Sequence, residues 1–225
     1  MSAAPQTSAA VRPRRSPLSI SVCLVALAVC TWADLGSKHW AQTSLSRAQP
    51  PRGKLCVPVA VGTPYERIEP QRRPLAPLVL VPDYLELAYA ENCGAAFSML
   101  VGSPAWVRTA LFAPAAIAAT IGLLWLFVTG YGGRLFAISV PLIASGAIGN
   151  LVDRFRLGYV VDFIHAFFIR HGVEHSWPTF NVADSTITVG VILLLIEGFL
   201  SPQKAAATQA DAARKAQKPA QSPGR

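Results

Sequence analysis

Two carboxylates stand in apolar surroundings in this sequence: Asp162 in Val160-Val161-Asp162-Phe163, and Asp184 in Phe180-Asn181-Val182-Ala183-Asp184. An ionisable side chain at membrane depth is costly, and so is a functional candidate by default. Two carboxylates brought into one site can hydrolyse a peptide bond without metal or cofactor. Like-charge repulsion keeps both from ionising, so the pair shares one proton. The ionised partner takes a proton from water, and the protonated one donates to the scissile carbonyl oxygen or the leaving amine. Three amides, Asn92, Asn150 and Asn181, fall in the same clusters and can orient the pair or hold substrate backbone; Asp153 and Arg154 follow Asn150. Plainer readings stand beside this one. Asn181 and Asp184 are good N-terminal residues for a helix, Asp153 and Arg154 suit an ion pair at a helix end, and Asp34 and Lys38 form a favourable i,i+4 pair. A second chemistry is spelled by His171-Gly172-Val173-Glu174-His175, the H-x-x-E-H pattern of inverted zinc peptidases. It needs a helix carrying both histidines and a third ligand. Gly172 weakens such a helix, so the expectation is loop or interface histidines, with no metal and no cofactor.

The elements that must carry these residues are membrane spans. The chain has 225 residues, 52% of them hydrophobic and 14% charged, with mean hydropathy +0.39. Soluble domains carry about a quarter charged residues. The net charge of +8 lies largely in tails beside apolar segments, which argues against a nucleic-acid partner. Apolar runs predict spans over 17–35, 109–133, 135–152 and 180–200. The first is read as an uncleaved helix rather than a secretory or lipoprotein signal, because three more follow. Four spans put both termini on one side. Arg12, Arg14, Arg15, Arg134 and Lys204 gather there, which makes it cytoplasmic. Residues 1–16 and 201–225 read as disordered tails, 43–77 as a Pro- and Arg-rich loop, and 78–100 as a small extramembrane sheet, from alternation such as Leu85, Leu87, Tyr89. Residues 153–179 carry aromatics suited to the lipid–water interface. Cys56 and Cys93 fall outside the membrane, where a disulfide is permitted.

In order and spacing, these motifs resemble the lipoprotein signal peptidase family, or signal peptidase II. The resemblance rests on Asp34 and Lys38 in the first span; on Asn92-Cys93-Gly94-Ala95-Ala96-Phe97-Ser98; on Gly146, Asn150, Asp153 and Arg154; on Val160, Asp162 and Phe163; and on Phe180, Asn181, Ala183 and Asp184. It covers nearly all of 17–200. It implies an all-α polytopic membrane protein of four transmembrane helices with a small periplasmic β-cradle and a short interfacial helix. It implies a monomeric aspartic endopeptidase of the cell inner membrane that cuts signal peptides from prolipoproteins just before a diacylglyceryl-modified cysteine, in contact with membrane lipid. The implied catalytic pair is Asp162 and Asp184. Asn92, Gly94, Asn150, Asp153, Arg154, Asn181, Ala183, Asp34 and Lys38 are the implied supporting residues. The sequence departs from the family pattern in its long 43–77 insertion, in Cys93 where Thr or Arg is usual, and in a slightly extended stretch between the two aspartates.

Overall fold

The computed structural model describes residues 14–50, 71–93 and 105–216, without the side chains of 105–109, 111–112 and 201–216. Helix α1, Pro17–Ser44, starts where the Ser16 hydroxyl accepts from the Ser19 N–H (3.2 Å) and Pro17 takes the first helical position. It runs well past the span expected over 17–35. The charges that interrupt the apolar run, Asp34 and Lys38, neutralise each other one turn apart and stay buried within the bundle. Helix α2 is Ala105–Val128, α3 is Arg134–Leu157, and α4 is Val182–Ala216. α1, α3 and Val182–Leu200 are long and apolar enough to cross a membrane, and Ala113–Val128 is a shorter apolar stretch. α4 continues through 201–216, where disorder was expected. That stretch is rich in Ala, Gln and Lys, all strong helix formers. α3 sits at the centre and packs on α1, α2 and α4.

The strands exceed the expected cradle. β1, Ser46–Ala48, and β2, Arg72–Pro74, pair at the two ends of the long insertion. A four-stranded antiparallel sheet has the order β3-β4-β5-β6, from β3, Leu78–Val81; β4, Leu85–Asn92; β5, Val160–Arg170; and β6, Val173–Ser176. The expected sheet over 78–100 thus accounts for only half of the observed one, and its 94–100 part lies outside the described residues. The short interfacial helix is absent among the described residues. Residues 160–176 form a β-hairpin instead, and its two-residue turn has positive φ at both His171 (52°) and Gly172 (73°), the twist a tight hairpin needs.

Two apolar clusters hold these parts together. One, with Ala41, Leu45, Tyr89, Cys93, Tyr159, Val161 and Phe163, seats the sheet on the end of α1. The other, with Cys23, Phe127, Phe136 and Val140, closes the opposite end of the bundle.

Candidate functional site

Three local devices bring the polar residues together where the sheet meets α3 and α4. The first is a register irregularity. Leu87 faces Ile164 but Ala90 faces Asp162, so β4 carries an extra residue beside Asp162. Such a bulge re-aims neighbouring side chains. The second is a bridge at Phe180. Its N–H donates to the Ile164 carbonyl (3.0 Å), and its carbonyl accepts from Phe163 and Ile164 (3.0 and 2.8 Å). The chain entering α4 is thereby pinned beside Asp162. The third is a reciprocal cap on α4. The Asp184 N–H donates to Asn181 Oδ1 (2.9 Å), and the Asn181 N–H donates to Asp184 Oδ2 (3.2 Å). The capping reading of Asn181 and Asp184 is therefore realised, and it does not exhaust either residue.

Asn181, fully buried, also sends its amide nitrogen to Asp162 Oδ1 (2.6 Å), to Asn150 Oδ1 (3.2 Å) and to the Val161 carbonyl (3.3 Å). Asn92 donates to Asp162 Oδ2 (2.9 Å). Asn150 donates to the remaining oxygen of Asp184 (2.8 Å), while its own oxygen accepts from Lys38 Nζ (2.8 Å). Lys38 fixes which way the Asn150 amide points, because an ammonium has only donors to offer.

Lys38 is only 2% exposed and lies between two carboxylates, 2.9 Å from Asp34 and 3.4 Å from Asp153. The Asp34 oxygen facing Lys38 makes no hydrogen bond of good geometry, so that contact is an ion pair. The other Asp34 oxygen accepts from the Ala183 N–H (2.8 Å), and Asp153 accepts from the Val161 N–H (3.1 Å). These carboxylates thus reach the chain segments that carry Asp184 and Asp162. Arg154 donates to the Asn150 carbonyl (3.2 Å) and lies within electrostatic range of Asp184, Asp162 and Asp153.

Every supporting residue predicted from sequence joins this network except Gly94, which lies outside the described residues. Asp153 pairs with Lys38 (3.4 Å) rather than with Arg154, the partner of the plainer reading. Cys93 is disulfide-bonded and Cys56 lies outside the described residues, while Cys23 and Cys30 are free. The zinc motif sits on the β5–β6 hairpin rather than a helix; His171 occupies its turn and His175 stacks on Phe168.

Sequence reasoning missed Gly149. A Cβ there would run into the Asp34 carboxylate, and one on Gly146 would meet the Ala183 carbonyl. Both glycines let polar groups of neighbouring helices approach α3. Gly149→Ala is expected to displace Asp34 and lower the thermal unfolding midpoint in detergent by several degrees, roughly the effect of 1–3 kcal/mol in a chain this size. An unchanged midpoint would mean that the Asp34 contact is dispensable.

The two aspartates differ in setting. Asp162 is 2% exposed, whereas Asp184 is half-buried. Burial, reinforced by the neighbouring charge of Asp184, pushes the Asp162 carboxyl up to about 7 against the opposing hydrogen bonds from Asn92 and Asn181 and the charge of Lys38. Such a pair can hold one proton between an acid and a base, as general acid–base hydrolysis requires.

Residues 25–200 match the family model described as signal peptidase (SPase) II. The chain is 40% identical over 124 residues to the lipoprotein signal peptidase of Pseudomonas putida, covering 55% of this chain and 71% of that one. It is 41% identical over 123 residues to that of Acinetobacter baylyi, covering 55% and 66%. Among solved structures it resembles a bacterial membrane enzyme determined by the in meso method at 2.3 Å, with a TM-score of 0.56 and 22% identity over 90% of this chain and 96% of that one. With its matched segment reaching from the first span through the last, this chain belongs to the signal peptidase II family.

Proposed function

We propose that this membrane protein removes signal peptides from prolipoproteins as an aspartic endopeptidase, cutting just before a diacylglyceryl-modified cysteine. Family membership supports the reaction class. The observation that carries the residue assignment is the hydrogen-bonded network in which Asn181 contacts both Asp162 and Asp184, while Asn150 ties Asp184 to Lys38.

In the resting state the shared proton sits on Asp162, the buried member. Asp184, the more open of the two, takes a proton from the attacking water. Asp162 donates to the scissile carbonyl oxygen; as the tetrahedral intermediate collapses and the C–N bond breaks, Asp162 takes that proton back and Asp184 passes its own to the leaving amine. Asn150 and Asn181 hold the two carboxylates in register, and Arg154 balances negative charge beside them. Asn92 sits at the edge of the site, with Gly94 two residues on, and both are suited to holding substrate backbone.

α2 serves as the fourth span, since Ala113–Val128 is apolar and lies against α3. Both termini then lie on the cytoplasmic side of the inner membrane, and the aspartates and the sheet at the periplasmic face, with the protein acting as a monomer. Arg15, Arg134 and the α2–α3 turn lie together at the other end, consistent with a positive cytoplasmic edge.

The test uses the full chain in lipid and a prolipoprotein with or without the diacylglyceryl group. The modified precursor is expected to be cut at the bond before its cysteine, at least 100-fold faster than the unmodified one, at a rate unaffected by a zinc chelator. Equal rates on the two precursors would overturn the lipid requirement, and loss of activity with chelator would overturn the aspartic mechanism.

A further inference from the structure

At the end of the bundle remote from the aspartates, α1 and α3 leave a groove of about 420 Å3, lined by Leu18, Val22, Ala26, Ile138, Pro141 and Leu142, with Phe127 of α2 also contributing to its wall. It extends from Arg15 to Ala26, about 16 Å along the helix axis at 1.5 Å per residue, which is the depth of one hydrocarbon leaflet. Leu18 (74% exposed) and Val22 (60%) form an open wall toward the surrounding medium.

The mouth of this groove is built around Arg15. One of its terminal nitrogens donates to the carbonyls of Tyr131, Gly132 and Gly133 (3.0, 2.8 and 3.3 Å), and the guanidinium lies 5.2 Å from the centre of the Phe127 ring. The group is thereby fixed in place. Its Nε is buried without a hydrogen-bond partner, and among the described residues no carboxylate forms an ion pair with it. A buried donor left unmade costs about 1–3 kcal/mol, and more on a charged group. Glu197 accepts from the Gly133 N–H (2.8 Å) beside this cluster of carbonyls. Arg14 and Arg134 add positive charge at the same end, and so does the N-terminus of α1.

From this geometry we infer that the α1–α3 groove is a binding site for one anionic phospholipid, with an acyl chain along the groove and its phosphate beside the positive charge of Arg15. The apolar segment of a signal peptide fits the groove less well, because the basic residues that precede such a segment would be placed against Arg15. Along α1 the Arg15 end of the groove lies about 28 Å from Asp34 and the Ala26 end about 12 Å, so the phosphate position is remote from the aspartates.

The experiment is native mass spectrometry of the full, delipidated protein in detergent, titrated with phosphatidylglycerol or phosphatidylcholine. One phosphatidylglycerol is expected to be retained at least fivefold more than phosphatidylcholine. Arg15→Gln is expected to remove that preference. Ala26→Phe, which fills the groove, is expected to remove retention itself, with cleavage of the lipidated precursor preserved in both variants. Equal retention of the two lipids, or an undiminished preference in both variants, marks an ordinary lipid annulus and overturns the inference. Inorganic phosphate raising the unfolding midpoint as much as phosphatidylglycerol does also overturns it, because the groove would then play no part.

Discussion

Asp162→Asn is expected to lower cleavage of a lipidated precursor by about 10³-fold while leaving the protein folded, since a positioned acid–base group contributes roughly 10²–10⁴-fold. The substitution keeps the shape of the side chain but removes the acidic proton. The amide oxygen can still accept from Asn181, whose own oxygen is committed to capping α4. Asn92 then has to present its oxygen to the new amide nitrogen. Turnover within tenfold of the parent would sink the assignment of Asp162.

The same variant tests where the resting proton lies. The Asp162 carboxyl is raised from an ordinary 3.8 to about 7 in the folded protein. Between those values the folded state holds more protons than the unfolded one, so stability declines as pH rises through that window and is flat again above it. Asp162→Asn has no proton to lose there. The unfolding midpoint of the parent relative to the variant is therefore expected to fall steadily from pH 4.5 to pH 7.5, leaving the inactive variant the better folded of the two at the upper end. A constant difference across that range would exclude a buried, protonated Asp162. Parent activity is expected to decline above about pH 7, approaching tenfold per pH unit, as the acid form is depleted.

Much of this site was legible in the sequence because its residues are conspicuous against an apolar background. Asp162, Asp184, Asn150 and Lys38 are costly in a membrane helix or beside one, so their presence alone asks for a reason. The apolar helices were legible for the same cause, three of them long enough to cross a membrane, although α1 ran on because Asp34 and Lys38 neutralise each other inside the bundle. The β5–β6 hairpin was not. Its turn is His171-Gly172 rather than Asn-Gly, and the run from Val160 to Ile169 is apolar apart from Asp162 and His165, which periodicity cannot separate from a buried helix. The extra residue of β4 opposite Asp162 has no sequence signature, since it follows from where the strands register. Nor could spacing distinguish a capping role from a site role for Asn181, because the folded chain gives it both. Spacing pairs Lys38 with Asp34 alone, and the family resemblance adds it only as an unspecified supporting residue. That it also faces Asp153 and steers Asn150 depends on how closely α1 approaches α3 at Gly149, where the absence of a side chain carries no label in the sequence.

Lys38 should accordingly be the most damaging position to neutralise outside the aspartate pair. Lys38→Met keeps the length and the apolar stem but leaves Asp34 and Asp153 as two buried carboxylates without their shared cation. Breaking a buried pair by removing one partner costs about 3–5 kcal/mol, because the remaining charge stays desolvated. Here two charges remain, and they repel. The expected result is a fall of several degrees or more in the unfolding midpoint, together with a loss of kcat greater than the change in KM, because Asn150 no longer has an ammonium to fix its amide toward Asp184. The double variant Asp34→Asn with Lys38→Met removes one stranded charge, so it should recover part of the stability. It should recover little of the activity, because the Asn150 amide is still unanchored. Recovery of both in parallel would mean that Lys38 acts only as structural ballast. Recovery of neither would place its main debt with Asp153, the carboxylate that holds the Val161 N–H and through it the strand carrying Asp162.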